Sequence, residues 1–284
     1  MIEAKKKFGQ NFLKDSTVLN KIIQAMPKNE RRLVEIGPGL GDLTQELLKV
    51  KPLVAYEVDD DLCVYLKKKF SKEIDEGHLT LVYTDVLKQF EKETLLNEPY
   101  DLVANLPYYI ATAIILEALE DPYCKSMVVM VQKEVAEKFA AHPKTKEFTS
   151  LAILAQSIGD ATLLFDVDPT SFDPQPKVVS SILQINKRTE FVEGISSGIF
   201  QTKEELQKFK RYLRSSFQSP RKTWLKNISS EFDKQSVQTV MESENLPATI
   251  RPHEISVLSH HLLFKTLRLN DARKRDNTNT TNND

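Results

Sequence analysis

Three short stretches carry residues whose types and spacing could bind a nucleoside-like ligand. The first, V-E-I-G-P-G-L-G-D-L-T, sets Gly37, Gly39 and Gly41 after an apolar run and just before a helical one. Such a turn lets a ligand approach the backbone where no Cβ intrudes, beside the unpaired N–H groups of a helix start. The spacing is not the G-x-G-x-x-G of dinucleotide binders, and Asp42 stands where the last glycine would. An acid there repels a pyrophosphate, which disfavours NAD and favours a cofactor without phosphates. The second stretch, A-Y-E-V-D-D-D, carries Glu57 about twenty residues beyond Gly37, the place from which a carboxylate accepts from both hydroxyls of a ribose. The third, L-V-Y-T-D-V-L, carries Asp85, which can take an amino hydrogen of an adenine. Either acid could equally be a helix cap. In order, at successive strand ends, they imply an adenosine-containing cofactor without saying which one.

A fourth stretch, V-A-N-L-P-Y-Y-I-A-T, puts Asn105 directly after an apolar run. An exocyclic adenine amine attacks a sulfonium methyl poorly, because its lone pair is delocalised into the ring. Acceptors for both amino hydrogens draw the nitrogen toward a tetrahedral, more nucleophilic shape. The Asn105 side-chain oxygen and the Leu106 carbonyl can supply them, with Pro107 fixing the turn and Tyr108 stacking on the base. No dedicated general base is needed; the proton can leave to water. The alternative is that Asn105 caps the next helix and Tyr108 belongs to the core.

These residues need strand ends to stand on. Between residues 31 and 131, short runs rich in Val, Leu and Ile alternate with amphipathic helical periods, which predicts βαβ units and a parallel sheet covered on both faces. ATLLFDV and VVSSILQIN supply two further strands. FTSLAILAQSIG reads as a helix of the same domain. After Lys187 the periods are helical only, with basic faces. The expected organisation is a Rossmann-like α/β catalytic domain over residues 1–187, a small all-helical domain over 188–270 and a disordered tail over 271–284.

The 284-residue chain has a formal net charge of −1, which does not advertise a nucleic-acid binder, but charge distribution matters more than the sum. Lys203 to Lys226 holds eight basic residues against two acids, and Lys5, Lys6 and Lys7 form a second cluster. Cys63, in a predicted helix, and Cys124, in a predicted loop, suggest no disulfide framework, and the five histidines lack ligand spacing, so no metal is expected. There is neither a signal-peptide pattern nor a run of apolar residues long enough to span a bilayer; the chain is expected to be cytoplasmic and away from membranes, and monomeric by default.

Taken with their flanks, K-K-K-F-G-Q-N-F-L-K-D, V-Q-K-E-V-A-E-K-F-A-A, S-F-D-P-Q-P-K-V, R-K-T-W-L-K-N-I-S and R-P-H-E-I-S-V-L, the four stretches resemble the ribosomal RNA adenine N6-dimethyltransferases over about residues 5 to 260, in the branch that modifies small-subunit rRNA. The resemblance implies a class I methyltransferase sheet and S-adenosyl-L-methionine as methyl donor. It implies as substrate two adjacent adenosines in a hairpin loop near the 3′ end of 16S rRNA, dimethylated at N6 within the 30S particle, with a role in small-subunit biogenesis. By it, Asn11 and Leu13 close over the methionine end of the cofactor, Gly37 lines its turn, Glu57 holds the ribose, Asp85 the adenine and Asn105 the target amine. Phe172 is implied as a second aromatic face opposite Tyr108, for a base taken out of its stack. Lys5, Lys6, Lys7, Arg221 and Lys222 become RNA contacts.

One departure stands out: the family's usual Asn after N-L-P-Y is Tyr109 here, expected to pack inward against the sheet. Large-subunit methyltransferases of macrolide resistance share the core motifs but usually carry N-I-P-Y. An assembly factor with vestigial catalysis is opposed by the intact Gly37, Glu57, Asp85 and Asn105, and an NAD-dependent oxidoreductase by the glycine spacing.

Overall fold

The computed structural model describes residues 5, 10–188, 200 and 202–280, of which 269–280 are considered as backbone only. In chain order the elements are β1 (Phe12–Leu13), α1 (Ser16–Ala25), β2 (Arg32–Ile36), α2 (Asp42–Leu48), β3 (Leu53–Glu57), α3 (Asp60–Lys69), α4 (Ser71–Asp75), β4 (Leu79–Tyr83), α5 (Val86–Lys92), β5 (Tyr100–Asn105), α6 (Ala111–Glu120) and β6 (Cys124–Gln132). Then come α7 (Lys133–Ala140), α8 (Ser150–Ile158), β7 (Gly159–Val167), β8 (Phe172–Asp173), β9 (Ser180–Lys187), α9 (Lys203–Ser216), α10 (Trp224–Ile228), α11 (Lys234–Ser243) and α12 (Val257–Thr280).

Seven strands form one sheet in the order β4-β3-β2-β5-β6-β9-β7. The first five are parallel, and β9 lies antiparallel between β6 and β7. This is the parallel core that the apolar runs predicted. Strands β3 and β5 are buried on both faces, as a sheet covered by helices on either side requires, whereas the edge strand β4 is half exposed. Ile36 pairs with Tyr56, Glu57 with Tyr83 and Asn105 with Met130, so the strands end nearly level and their following loops share one rim.

Some features depart from the sequence reading. Cys124 opens β6 and is fully buried, rather than lying in a loop. Contacts divide the chain into Met1–Ala140 with Ile158–Glu193, and Ala141–Ser157 with Gly194–Asp284, so α8 falls with the helical unit. There Ser157 Oγ lies 2.6 Å from His261 Nε2 on α12, a long-range tie that no local pattern reveals. The backbone of helix α12 runs to Thr280, through much of the stretch expected to be a disordered tail; Ala272, Arg273, Lys274 and Arg275 within it are good helix formers.

Within the helical unit, Tyr212, Phe209, Trp224 and Phe264 make a fully buried aromatic core. His260 Nε2 donates to the Pro252 carbonyl (3.1 Å), so its Nδ1 accepts from Tyr212 Oη (2.9 Å). Burial holds this imidazole neutral, its pKa lowered to about 3. Asn227 clamps the preceding loop: its Oδ1 accepts from Ser219 N (2.9 Å) and its Nδ2 donates to Ser219 O (3.0 Å). That loop presents Arg221 and Lys222 to solvent.

Candidate active site

The carboxyl ends of β2 to β5 surround one cavity. It is lined by the Gly37–Leu40 turn, by Glu57 and Val58, by Thr84 to Leu87, by Asn105 to Ile110 and by the strap Gln10 to Leu13. Gly37 and Gly39 have φ of 68° and 59°, a left-handed backbone that disfavours side chains. A Cβ on Gly39 would sit 2.9 Å from the Phe12 ring, so the glycine admits the strap. A Cβ on Gly37 would sit 3.6 Å from the Pro107 ring, so the glycine turn and the N-L-P-Y turn are in contact.

Glu57 is buried, and its carboxylate is held by the backbone. Oε1 accepts from Val58 N (2.8 Å) and Asp59 N (2.9 Å), while Oε2 has only a long contact with Gly39 N (3.4 Å) and keeps acceptor capacity toward the cavity. Burial raises its pKa, opposed by those same hydrogen bonds. Asp85 caps α5 through Oδ1, which accepts from Leu87 N (3.0 Å). Capping and ligand binding are therefore not exclusive here: one oxygen caps and the second is free to face an amino group. Val58, Val86 and Leu87 supply apolar surface around these acids.

Asn105 ends β5 and is no helix cap, because α6 starts after Ile110 with no side-chain cap bond. Its Nδ2 donates to the backbone carbonyl of Asn11 at 3.0 Å. This bond fixes which end of the amide is which and leaves Oδ1 as the acceptor. Tyr108 Oη lies 2.6 Å from the buried Ser180 Oγ on β9, and burial raises the phenol's pKa.

The strap is tied down at both ends. Lys5 Nζ pairs with Asp59 (2.6 Å) and Asp61 (2.5 Å), and Gln10 donates to Asp59 (3.0 Å). Lys14 pairs with Asp42 (2.7 Å), and its N–H donates to the Ser171 carbonyl (2.8 Å). Strand β1 pairs with β8, Leu13 opposite Phe172.

Thus Asn11, Leu13, Gly37, Glu57, Asp85 and Asn105 to Tyr108 come together as the sequence suggested, whereas three other expectations change. Phe172 is 3% exposed inside the apolar core with Leu13, Val167 and Ile182 and does not line the cavity, because its pairing with β1 draws it beneath the strap. It forms no aromatic face opposite Tyr108. Tyr109 is 59% exposed rather than packed inward, left on the cavity rim by the turn that Ile110 N closes on the Pro107 carbonyl. Lys5 is occupied by two carboxylates instead of facing outward as a phosphate contact, and Lys6 and Lys7 lie outside the described residues.

Glu35 was not singled out from sequence. It is fully buried against the cavity, accepts from Thr44 Oγ1 (2.7 Å), and burial pushes its carboxyl up to about 8. Its place before the glycine turn, among the apolar Leu33, Val34 and Ile36, was the available signal. Among the described residues no cluster could hold a metal ion, and no helix is long and apolar enough to cross a membrane.

A glycine turn at the first parallel strand, acids at the next two strand ends and an amide after the fourth define a class I S-adenosylmethionine-dependent methyltransferase. The fold is that of the dimethyladenosine transferase from Plasmodium falciparum (TM-score 0.73, 24% identity, 92% of this chain and 98% of that one) and of the 23S rRNA methyltransferase ErmE (TM-score 0.67, 23% identity, 91% and 100%). The chain belongs to the ribosomal RNA adenine dimethylase family, whose pattern it matches over residues 1–268. It is 50% identical to ribosomal RNA small subunit methyltransferase A of Sulfurimonas denitrificans (96% of this chain, 98% of the relative). It is 49% identical to the protein of that name from Campylobacter curvus (97% and 96%).

Proposed function

We propose that this protein dimethylates N6 of two adjacent adenosines in a hairpin loop near the 3′ end of small-subunit rRNA, acting as a cytoplasmic monomer on the 30S particle during its biogenesis. The observation that carries the reading is the Asn105 amide, anchored through Nδ2 to the Asn11 carbonyl so that Oδ1 is left as an acceptor. An amide that capped α6 would not stand at the end of β5, five residues before the helix N-cap.

S-adenosyl-L-methionine supplies the electrophilic methyl when bound, and the cavity residues suit it: Glu57 Oε2 for the ribose, Asp85 for the adenine, Val58, Val86 and Leu87 for the ring faces. Asn105 Oδ1 and the Leu106 carbonyl accept the two amino hydrogens of the target adenine, directing its lone pair into the cavity. Pro107, braced on the Gly37 turn, fixes the distance between the two halves of the site. Tyr108, held by Ser180, offers a ring for the base. The released proton passes to water. A loop adenine suits such a pocket, because an unstacked base costs little to present. The small subunit is favoured over the large one by the names of relatives about half identical along nearly their whole length, and the exposed Arg221 and Lys222 suit phosphate contacts.

The test is transfer of labelled methyl from S-adenosylmethionine to small subunits lacking the modification, beside large subunits and an Asn105→Ala control, with the product nucleotide mapped. Label on paired loop adenines of the small subunit, lost in the variant, is the expected result. Tight, salt-sensitive binding without any transfer would refute the enzymatic reading and leave an assembly factor.

A further inference from the structure

Tyr108 and Tyr109 are neighbours in sequence with different destinations. Tyr108 reaches Ser180 on β9, two strands to one side of β5. The turn then closes through Ile110 N to the Pro107 carbonyl (3.2 Å), and Tyr109 stays on the rim. Helices α5 and α6 pack side by side, and Tyr109, two residues before α6, lines the same cavity as Thr84 to Leu87 at the start of α5. Strands β3 and β4, which deliver Glu57 and Asp85, lie to the opposite side of β5 from β9. The phenol feels this neighbourhood: burial raises its pKa first, and the Asp85 and Glu57 carboxylates raise it further.

From this placement we infer that Tyr109 is a wall for the adenosine half of the cofactor, and that the target base is left to Tyr108. The inference rests on S-adenosylmethionine as the ligand. A ring that is 59% exposed beside an acid pair has apolar face to give to a nucleoside, and a ligand that covers it removes that face from water. The ring offers a stacking surface, so it strengthens the hold on the cofactor without touching the acceptors of the target amine. Base–aromatic stacking, by alanine substitution, changes affinity enough that a partial contact is worth about tenfold.

The test is calorimetric binding of S-adenosylhomocysteine to the full chain and to Tyr109→Phe, Tyr109→Ala and Tyr109→Asn, with the affinity of each for unmodified small subunits measured in parallel. The ring's exposure makes misfolding of these variants unexpected, and a thermal melt checks it. The expected result is about tenfold weaker binding in the Ala and Asn variants, with Phe within about twofold of wild type and subunit affinity unchanged. Unchanged S-adenosylhomocysteine affinity in Tyr109→Ala overturns the inference, and weakened subunit binding in the same variant would assign the ring to the RNA. A wild-type chain that does not bind S-adenosylhomocysteine would instead overturn the cofactor reading itself.

Discussion

Replacing Asn105 by aspartate exchanges the donating NH2 group for a second acceptor oxygen while keeping the shape, and so separates the two ends of the amide. In the native site Nδ2 lies 3.0 Å from the Asn11 carbonyl oxygen. A carboxylate oxygen there forfeits a hydrogen bond worth about 1 kcal/mol and leaves the carbonyl facing an acceptor, at a further cost of about 1–3 kcal/mol. Together these predict a loss of about 30-fold or more in the methyl-transfer step at pH 8. The sign with pH is distinctive. The Asn11 carbonyl favours the protonated carboxyl, which can donate to it, so the carboxyl pKa rises and the variant regains activity as pH falls through that value. Single-turnover transfer to unmodified small subunits at saturating cofactor, between pH 6 and 8, reads both effects. An aspartate variant within about twofold of wild type at pH 8, or one with no recovery at lower pH relative to wild type, would refute the claim that the strap orients the amide.

Double replacement of Arg221 and Lys222 by Ala weakens binding to the small subunit and makes the log–log salt dependence shallower by about 1.5, two phosphate contacts' worth, in a filter-binding titration. Glu35 is raised to about 8 by burial, so below about pH 4.5 both folded and unfolded states hold its proton; as pH rises toward 8 only the folded state does, and stability falls. Glu35→Gln therefore raises the thermal midpoint at pH 8, by up to about 4 kcal/mol of stability, and leaves it nearly unchanged at pH 4.5.

The parallel sheet was legible because strands buried on both faces are written as unbroken apolar runs, and the cavity was legible because its residues follow those runs one after another. What could not be read depends on partners far away in sequence. The two-residue β1 exists only through β8, some 160 residues on, and that pairing buries Phe172. Helix α8 has the right period, but it is long-range contacts such as that of Ser157 with His261 that reveal which unit it joins. Tyr109 was expected to pack inward against the sheet instead of facing the base. It stands on the rim, and nothing local says so.

The charges of the cavity support a further step. Four acids border it, Glu35, Asp42, Glu57 and Asp85. Burial keeps Glu35 protonated near neutral pH, and Asp42 is matched by Lys14. Glu57 and Asp85 remain as the charges facing a ligand, within apolar walls that screen them poorly. A site of that sign favours a cationic sulfonium over the neutral thioether left after transfer. The same two carboxylates that would position the nucleoside would therefore add a preference for the methyl donor over the spent cofactor. The strap that lines the cavity also orients Asn105, so the acceptor of the target amine and the walls of the cofactor site share one frame.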